Sequence, residues 1–467
     1  GTPRIQNLLL EGKENAFLSR ELVTMREDVF EDMDVKSFLF EDKNYLSCLL
    51  EEFEKYEMKQ AIKKAKVGLD ETEIKVIEKP KRPGLSFGAV TLDTKEKLME
   101  IIDGIDKDAI VAFDTETTGL DTKVAKMVGF SFCFDAQKAY YVPVGHSYLG
   151  VEDQVSVDDA VTVLKKLLTH KIVGQNLKFD LSLLNNQYYI EPIIPYADTM
   201  IMAWLSNPGS KVGLDTLAKI YFKYEMKPFK ELVKKGEDFS GVAIDDATFY
   251  AAEDAWMTYL LYGAIKKKME LSSLTHLLKE ARNVEYPFMN VLMRMERLGI
   301  KVDESKLEAL QRKLSEDLSA LTSDIYVLSG SEFNIKSTQQ LGVVLFQQLG
   351  LKGGKKTKTG YSTNEAVLSS LVGEHPIIEK ILQFREYQKI LSTYVEPLLK
   401  LAKADNNSRI YTSFVQTGTA TGRLSSRDPN LQNIPVRSAL GRSVREAFVA
   451  KEGYKLVSID YSQIELR

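Results

Sequence analysis

Asp114 and Glu116 stand two residues apart, just after the apolar run Ala109–Phe113. Side chains alternate across a strand, so this spacing sends both carboxylates to one face. Neighbouring carboxylates repel, and the arrangement becomes favourable when a cation sits between them. Two further strings carry acids at helical spacing. In Gly174-Gln175-Asn176-Leu177-Lys178-Phe179-Asp180, Asn176 and Asp180 are four apart at a predicted helix start. In Tyr250-Ala251-Ala252-Glu253-Asp254, Tyr250 and Asp254 are also four apart, and residues so spaced share one helix face. Every donor is oxygen and no His or Cys cluster offers a softer alternative, so a hard cation such as Mg²⁺ suits the set. Singly, an acidic strand end or a surface charge explains each of these residues; their order and context together favour a metal site.

Two strings near the end add a second set. Tyr454–Ile459 reads as a buried strand delivering Asp460 to its exposed end, with Glu465 five residues further on. A strand needs neighbours, and none follows, so the chain is expected to be a fragment with one function incomplete. Upstream lie Thr417-Gly418-Thr419-Ala420-Thr421-Gly422-Arg423-Leu424-Ser425-Ser426 and Asp428-Pro429-Asn430-Leu431-Gln432-Asn433-Ile434-Pro435. Small residues there let a backbone approach a ligand closely. Arg423, Asn430, Gln432 and Asn433 offer donors suited to phosphate, sugar and minor-groove acceptors, although a polar loop with good turn chemistry has the same composition.

The elements that position these residues fall into blocks. At 467 residues the chain predicts about three domains. Residues 1–75 read as helical with acidic clusters, and Val76–Gly84 as a linker by its prolines, glycine and charge. From Leu85 to Leu274 strands and helices alternate: Ala109–Phe113, Met127–Phe134, Ala139–Val144 and Lys171–Gly174 read as strands and Val157–Leu168 as a helix, an α/β domain with a mixed sheet. Residues 275–330 read as long helices broken at Leu298-Gly299-Ile300. The stripe Leu307, Leu310, Leu314, Leu318, Leu321 marks a packed helical face. A Gly/Lys-rich loop follows at Lys352–Gly360.

The net charge of −4 hides an asymmetry: residues 1–350 hold 44 Lys+Arg against 55 Asp+Glu, and residues 351–450 hold 15 against 8. Local positive charge in an acidic chain suggests an anionic partner held by one region. No apolar run approaches the ~20 residues of a membrane span. Cys48 and Cys133 are the only cysteines, too few for a disulfide framework or a zinc site, and a reducing, cytoplasmic compartment is expected.

Over residues 85–274 the chain resembles the 3′→5′ exonucleases that use four acidic ligands and a tyrosine. The resemblance implies an RNase H-like α/β fold in which Asp114, Glu116, Asp180 and Asp254 hold two Mg²⁺ ions, or Mn²⁺ in their place. Two metals about 4 Å apart activate a water and stabilise the leaving 3′ oxygen of an in-line displacement at phosphorus. Tyr250 would orient that water, where a sister branch has histidine; Leu120, Gln175 and Asn176 would touch the terminal nucleotides.

The later strings extend the likeness to the A family of DNA polymerases of bacteria, as a large fragment cut within the palm. This implies a helical remnant of a 5′-nuclease domain at 1–76, a linker at 77–84, the exonuclease at 85–274 and a helical connector at 275–299. A mainly helical thumb would follow at 300–405, with Lys389, Thr393 and the Lys352–Lys358 loop near the duplex, then the start of an α+β palm at 406–467. Asp460 would bind a second pair of Mg²⁺ ions, Gln463 and Glu465 the incoming deoxynucleoside triphosphate, and Arg423 the primer end. The family's fingers helix and second palm carboxylate are not in this sequence, so the chain is expected to degrade 3′ ends but not to polymerise. Neither is the acidic metal cluster of the 5′-nuclease. The implied enzyme is a DNA-directed DNA polymerase of replication and repair with a proofreading exonuclease, monomeric, acting on primer-template DNA and single-stranded 3′ ends and away from membranes. A free-standing exoribonuclease would not need Thr417–Pro435 or Asp460–Arg467, and a non-enzymatic clamp would not need four acidic ligands.

Overall fold

In the computed structural model, residues 85–352, 356–357 and 360–463 are described, together with Leu49. The expected helices of residues 1–75 (Leu49 aside), the linker and Glu465 lie outside the described residues. Six strands, β1 (Gly88–Thr91), β2 (Ile110–Thr117), β3 (Met127–Cys133), β4 (Lys138–Pro143), β5 (Lys171–Gly174) and β6 (Ala197–Asp198), form one sheet in the order β1-β4-β3-β2-β5-β6. β3 runs antiparallel to β2 and β4 and the other pairs are parallel. Met127–Cys133 is buried along its whole length, as a central strand covered on both faces must be. The helices α1 (Lys95–Asp103), α2 (Val157–Leu167) and α3 (Leu177–Tyr188) connect the strands, and α4 (Thr199–Ser206) follows β6. The long α5 (Ile244–Leu271) packs across β1 to β5 with Trp256 buried at its middle.

β2 continues four residues beyond the expected Ala109–Phe113, because Asp114 to Thr117 pair with Ser131 to Met127 of β3. Asp114 and Glu116 therefore sit inside a paired strand rather than past its end. A register shift between Glu116 and Thr117 bends the strand there, a device that re-aims side chains.

A second apolar core begins beyond α6 (Tyr286–Leu298). Gly299, at φ 58°, ends α6 where a Cβ would strike the Tyr411 ring and the Ile410 carbonyl. β7 (Ile300–Val302) then pairs antiparallel with Arg409–Ile410 and Phe448–Val449. α7 (Glu304–Ser329) buries Leu307, Leu310, Leu314, Leu318 and Leu321, the expected stripe, against α8 (Pro376–Ile390). Within the Lys352–Gly360 loop, Lys356–Thr357 pairs with Gly360–Tyr361 as a short hairpin.

The expected buried strand at Tyr454–Ile459 is not formed. The segment is irregular and exposed, Val457 by 77% and Ile459 by 88%. No described strand lies alongside to pair with its backbone or cover its apolar side chains, and an unpartnered strand is not stable in water. Asp460 is exposed with it.

α6 joins the two cores. Tyr286, Met289 and Met293 belong to the first, while the Glu296 carboxylate accepts both the Lys178 ammonium of α3 and the Phe414 backbone N–H at 2.6 Å. Gln416 donates to the Glu285 carbonyl at 3.1 Å and carboxylate at 2.8 Å, and Trp204 Nε1 to the Thr419 carbonyl at 2.8 Å. Among the described residues no helix is long and apolar enough to cross a membrane.

Candidate metal centre and nucleic-acid surface

The period-2 spacing on β2 and the crossing of α5 over the sheet bring Asp114, Glu116 and Asp254 together, with one carboxylate oxygen from each within 4.8 Å of the others. Asp180 arrives from α3 beside the same strand. Its Oδ1 accepts the Thr115 backbone N–H at 3.0 Å and the Thr115 hydroxyl at 2.6 Å. The fourth acid thus borders the cluster with one oxygen already engaged.

The turn before α3 sets its position. Asn176 caps the helix in the left-handed region, φ 64°, a conformation Asn tolerates. It therefore lies outside the first turn, and the expected shared helix face with Asp180 does not form. The buried Asp198 carboxylate accepts the Leu177 N–H at 2.8 Å, the Met200 N–H at 2.9 Å and the Ile201 N–H at 3.2 Å, so it caps α4 and holds the start of α3. The Gln175 amide is engaged at both ends, donating to the Val212 carbonyl at 2.7 Å and accepting from Thr199 at 2.5 Å.

Burial and neighbouring carboxylates push all four acids up. Desolvation is the larger cause for each, followed by Asp254 for Asp114, by Asp114, Asp254 and Asp180 for Glu116, and by Asp114 for Asp180. Asp254 is raised to about 8, by burial and then by Glu253 and Asp215. Glu253 is not a cluster member, because its carboxylate accepts the Tyr224 hydroxyl at 2.7 Å and the Lys227 N–H at 2.8 Å. The Tyr250 phenol is raised by burial and then by Asp254, Glu116 and Asp114, and its ring packs on Phe229 and Phe239. Glu116 Oε1 is buried with no hydrogen-bond partner. An orphaned carboxylate oxygen among repelling acids, with oxygen donors alone, fits a hard divalent cation.

The later residues form an open surface. A groove of about 710 Å³ is lined by Lys336, Asn364, Arg385, Gln388, Lys389 and Thr393, among others. Arg385 is held by the Thr363 carbonyl and hydroxyl. Arg423, Asn430, Gln432 and Asn433 are exposed. The Asn430 side chain accepts the Gln432 N–H at 3.1 Å, and the Tyr394 hydroxyl donates to the Asn433 carbonyl at 2.5 Å. Leu120, on the loop after β2, is 89% exposed. Gln463 is exposed at φ 59°, and Asp460 joins no group of three potential ligands among the described residues.

Three positioning residues escaped sequence reasoning: Thr115, Asp198 and Glu253. Asp198 carries a local signal as an acid directly before an apolar helix. Thr115 and Glu253 are marked only by partners distant in sequence.

A sequence model of the 3′-5′ exonuclease matches residues 89–270, and one of DNA polymerase family A matches residues 304–467. DNA polymerase I of Treponema pallidum is 40% identical over 407 residues, covering 79% of this chain and 40% of that protein. DNA polymerase I of Borreliella burgdorferi is 35% identical over 480 residues, covering 99% and 51%. The chain thus spans about half or less of the length of these relatives. Among solved structures, the POL domain of Pol1 from M. smegmatis, in complex with DNA primer-template and dNTP, superposes with a TM-score of 0.64 at 27% identity, covering 81% of this chain and 61% of that one.

Proposed function

The chain belongs to DNA polymerase family A, with a 3′-5′ exonuclease upstream of the polymerase region, and from that premise we propose that Asp114, Glu116, Asp180 and Asp254 form a two-metal site that removes nucleotides from single-stranded DNA 3′ ends. The single observation that carries this reading is the convergence of three carboxylates within 4.8 Å beside an orphaned Glu116 oxygen. Mg²⁺, or Mn²⁺ in its place, supplies Lewis-acid stabilisation of the phosphate and a nucleophilic hydroxide at neutral pH when bound. Asp114, Glu116 and Asp254 hold the ions, and Asp180 adds the oxygen that Thr115 leaves uncommitted. Tyr250, kept protonated by its raised pKa, orients the attacking water. Leu120 offers an exposed apolar face to the terminal base, Asn176 meets the terminal nucleotide, and Gln175 braces the turn that presents it.

In this reading residues 85–274 are an RNase H-like domain, 275–299 a connector, 300–405 a thumb and 406–467 the start of a palm. The groove with Lys389 and Thr393 takes the duplex backbone, and Arg423, Asn430, Gln432 and Asn433 take the primer. Asp460, Gln463 and Glu465 serve the metal and deoxynucleoside triphosphate of template-directed synthesis. The whole protein acts as a monomeric cytoplasmic polymerase of DNA replication and repair, with the exonuclease as its proofreader; primer-template DNA in the M. smegmatis complex supports that partner.

The test is a 5′-labelled single-stranded oligonucleotide incubated with the chain and Mg²⁺. A ladder shortening from the 3′ end is expected; an intact oligonucleotide, or loss from the 5′ end, overturns the reading. For the groove, duplex affinity is expected to fall steeply with salt, and Lys336→Gln with Lys389→Gln to reduce the log–log slope by roughly 2. A slope unchanged by both substitutions removes the groove from the DNA path.

A further inference from the structure

Tyr141 on β4 reaches across the sheet toward Glu116. Gly129 of β3 pairs with Glu116, and a Cβ on Gly129 would collide with the Tyr141 hydroxyl. The phenol therefore fills the space of the side chain that would face Glu116. Asp114, Ser131 and Tyr141 align across β2, β3 and β4, which puts Tyr141 on the sheet face that carries the cluster. Tyr141 is fully buried, and its phenol is raised by burial and then by the Glu116 charge.

The phenol lies beside the orphaned Glu116 carboxylate without bonding to it, and its hydrogen goes elsewhere. The buried His146 has Nδ1 2.8 Å from the Val242 carbonyl oxygen and Nε2 2.7 Å from the Tyr141 hydroxyl. A carbonyl only accepts, so Nδ1 carries the ring hydrogen, and in the neutral ring Nε2 is then an acceptor. Burial keeps His146 toward that neutral form. Tyr141 must donate to Nε2. The Gln154 amide clamps the His146 backbone from both sides, at 2.7 Å to its N–H and 3.0 Å to its carbonyl, and Phe239 and Tyr148 pack on the ring.

We propose that His146 is a positioning residue: it pins the Tyr141 phenol short of Glu116, so that Glu116 presents an unshared oxygen to a divalent cation. The inference rests on the metal-site reading above. Without the histidine acceptor, the phenol is released to shift toward Glu116 and compete with the ion for that oxygen.

The experiment is Mn²⁺ titration of the chain by calorimetry, with melting curves as a folding control. His146→Phe, which keeps an aromatic ring but no acceptor, is expected to weaken Mn²⁺ binding about tenfold, within the range of outer-shell partners. Adding Tyr141→Phe to it removes the competing donor and is expected to restore affinity to within about threefold of the parent. His146→Gln, which keeps an acceptor, stays near the parent. A double variant as weak as His146→Phe alone assigns His146 to packing and overturns the proposal, as does unchanged binding in the single variant. Nitrogen-15 shifts of the parent's His146 ring decide the point even if a variant fails to fold: a neutral Nδ1–H tautomer is expected, and an Nε2–H tautomer overturns it. A parent that binds Mn²⁺ but leaves DNA intact sinks the exonuclease reading and leaves these affinities to decide the inference. A parent that binds no Mn²⁺ sinks the inference itself.

Discussion

Replacing Asp114 and Glu116 together by alanine is expected to slow 3′-terminal hydrolysis at least about a thousandfold, some 4 kcal/mol of barrier at 1.36 kcal/mol per decade. The two acids supply two of the three convergent oxygens, and Asp180, tied to Thr115, cannot replace them. The fold should survive, because the substitution removes two buried charges that repel each other. Nucleotide release from labelled single strands measures the rate, and Mn²⁺ titration measures the metal. A rate within tenfold of the parent means the chemistry lies elsewhere. A lost rate with a lowered melting temperature means the fold failed instead, and the isosteric pair Asp114→Asn/Glu116→Gln then decides.

The second large effect is on stability. In the metal-free protein every cluster acid is raised, Asp254 from 3.8 to about 8. Between those values the folded chain retains protons that the unfolded chain has released, so stability is present below about pH 4 and is lost as pH rises toward 8. At about 1.4 kcal/mol per unit, the Asp254 shift alone corresponds to on the order of 6 kcal/mol. Metal binding needs the ionised acids and reverses the trend. Melting curves with a chelator and with Mg²⁺ at pH 5.5 and 8.5 test this. With chelator the melting temperature should be lower at pH 8.5, and the gap that Mg²⁺ opens should widen with pH. At roughly 2–4 °C per kcal/mol for domains of this size, the change is readily measured. A gap equal at both values, or larger at pH 5.5, contradicts the proton-loaded cluster.

Much of this was legible in local sequence pattern. The alternation that placed Asp114 and Glu116 on one face, and the stripe from Leu307 to Leu321, depend only on the period of the element that carries them. Where legibility failed, the deciding partner was distant. β2 continues past Phe113 because Ser131 to Met127 lie alongside, and Tyr454–Ile459 remains irregular because no described strand does. Asn176 stands at the N-cap in the left-handed region rather than on the expected helical face, and Asp198, far along the chain, takes the Leu177 N–H next to it. Glu253 stands next to Asp254 and is chemically its equal, yet Tyr224 and the Lys227 N–H draw it away. Residue type announces a carboxylate; only tertiary contact decides whether its oxygens remain available.

The shared carboxylate of Glu296 bears on how this chain can be dissected. A piece ending at Leu274 would carry every cluster acid but would strip Tyr286, Met289 and Met293 from the apolar core to which they belong. It would also leave Lys178, two residues from Asp180 and nearly buried at 13% exposure, without its counter-charge, a costly state for a desolvated ammonium. A piece carried through Leu298 keeps both. The natural seam for excision or for grafting this module onto another scaffold therefore lies at Gly299, a full helix beyond the last acid of the cluster.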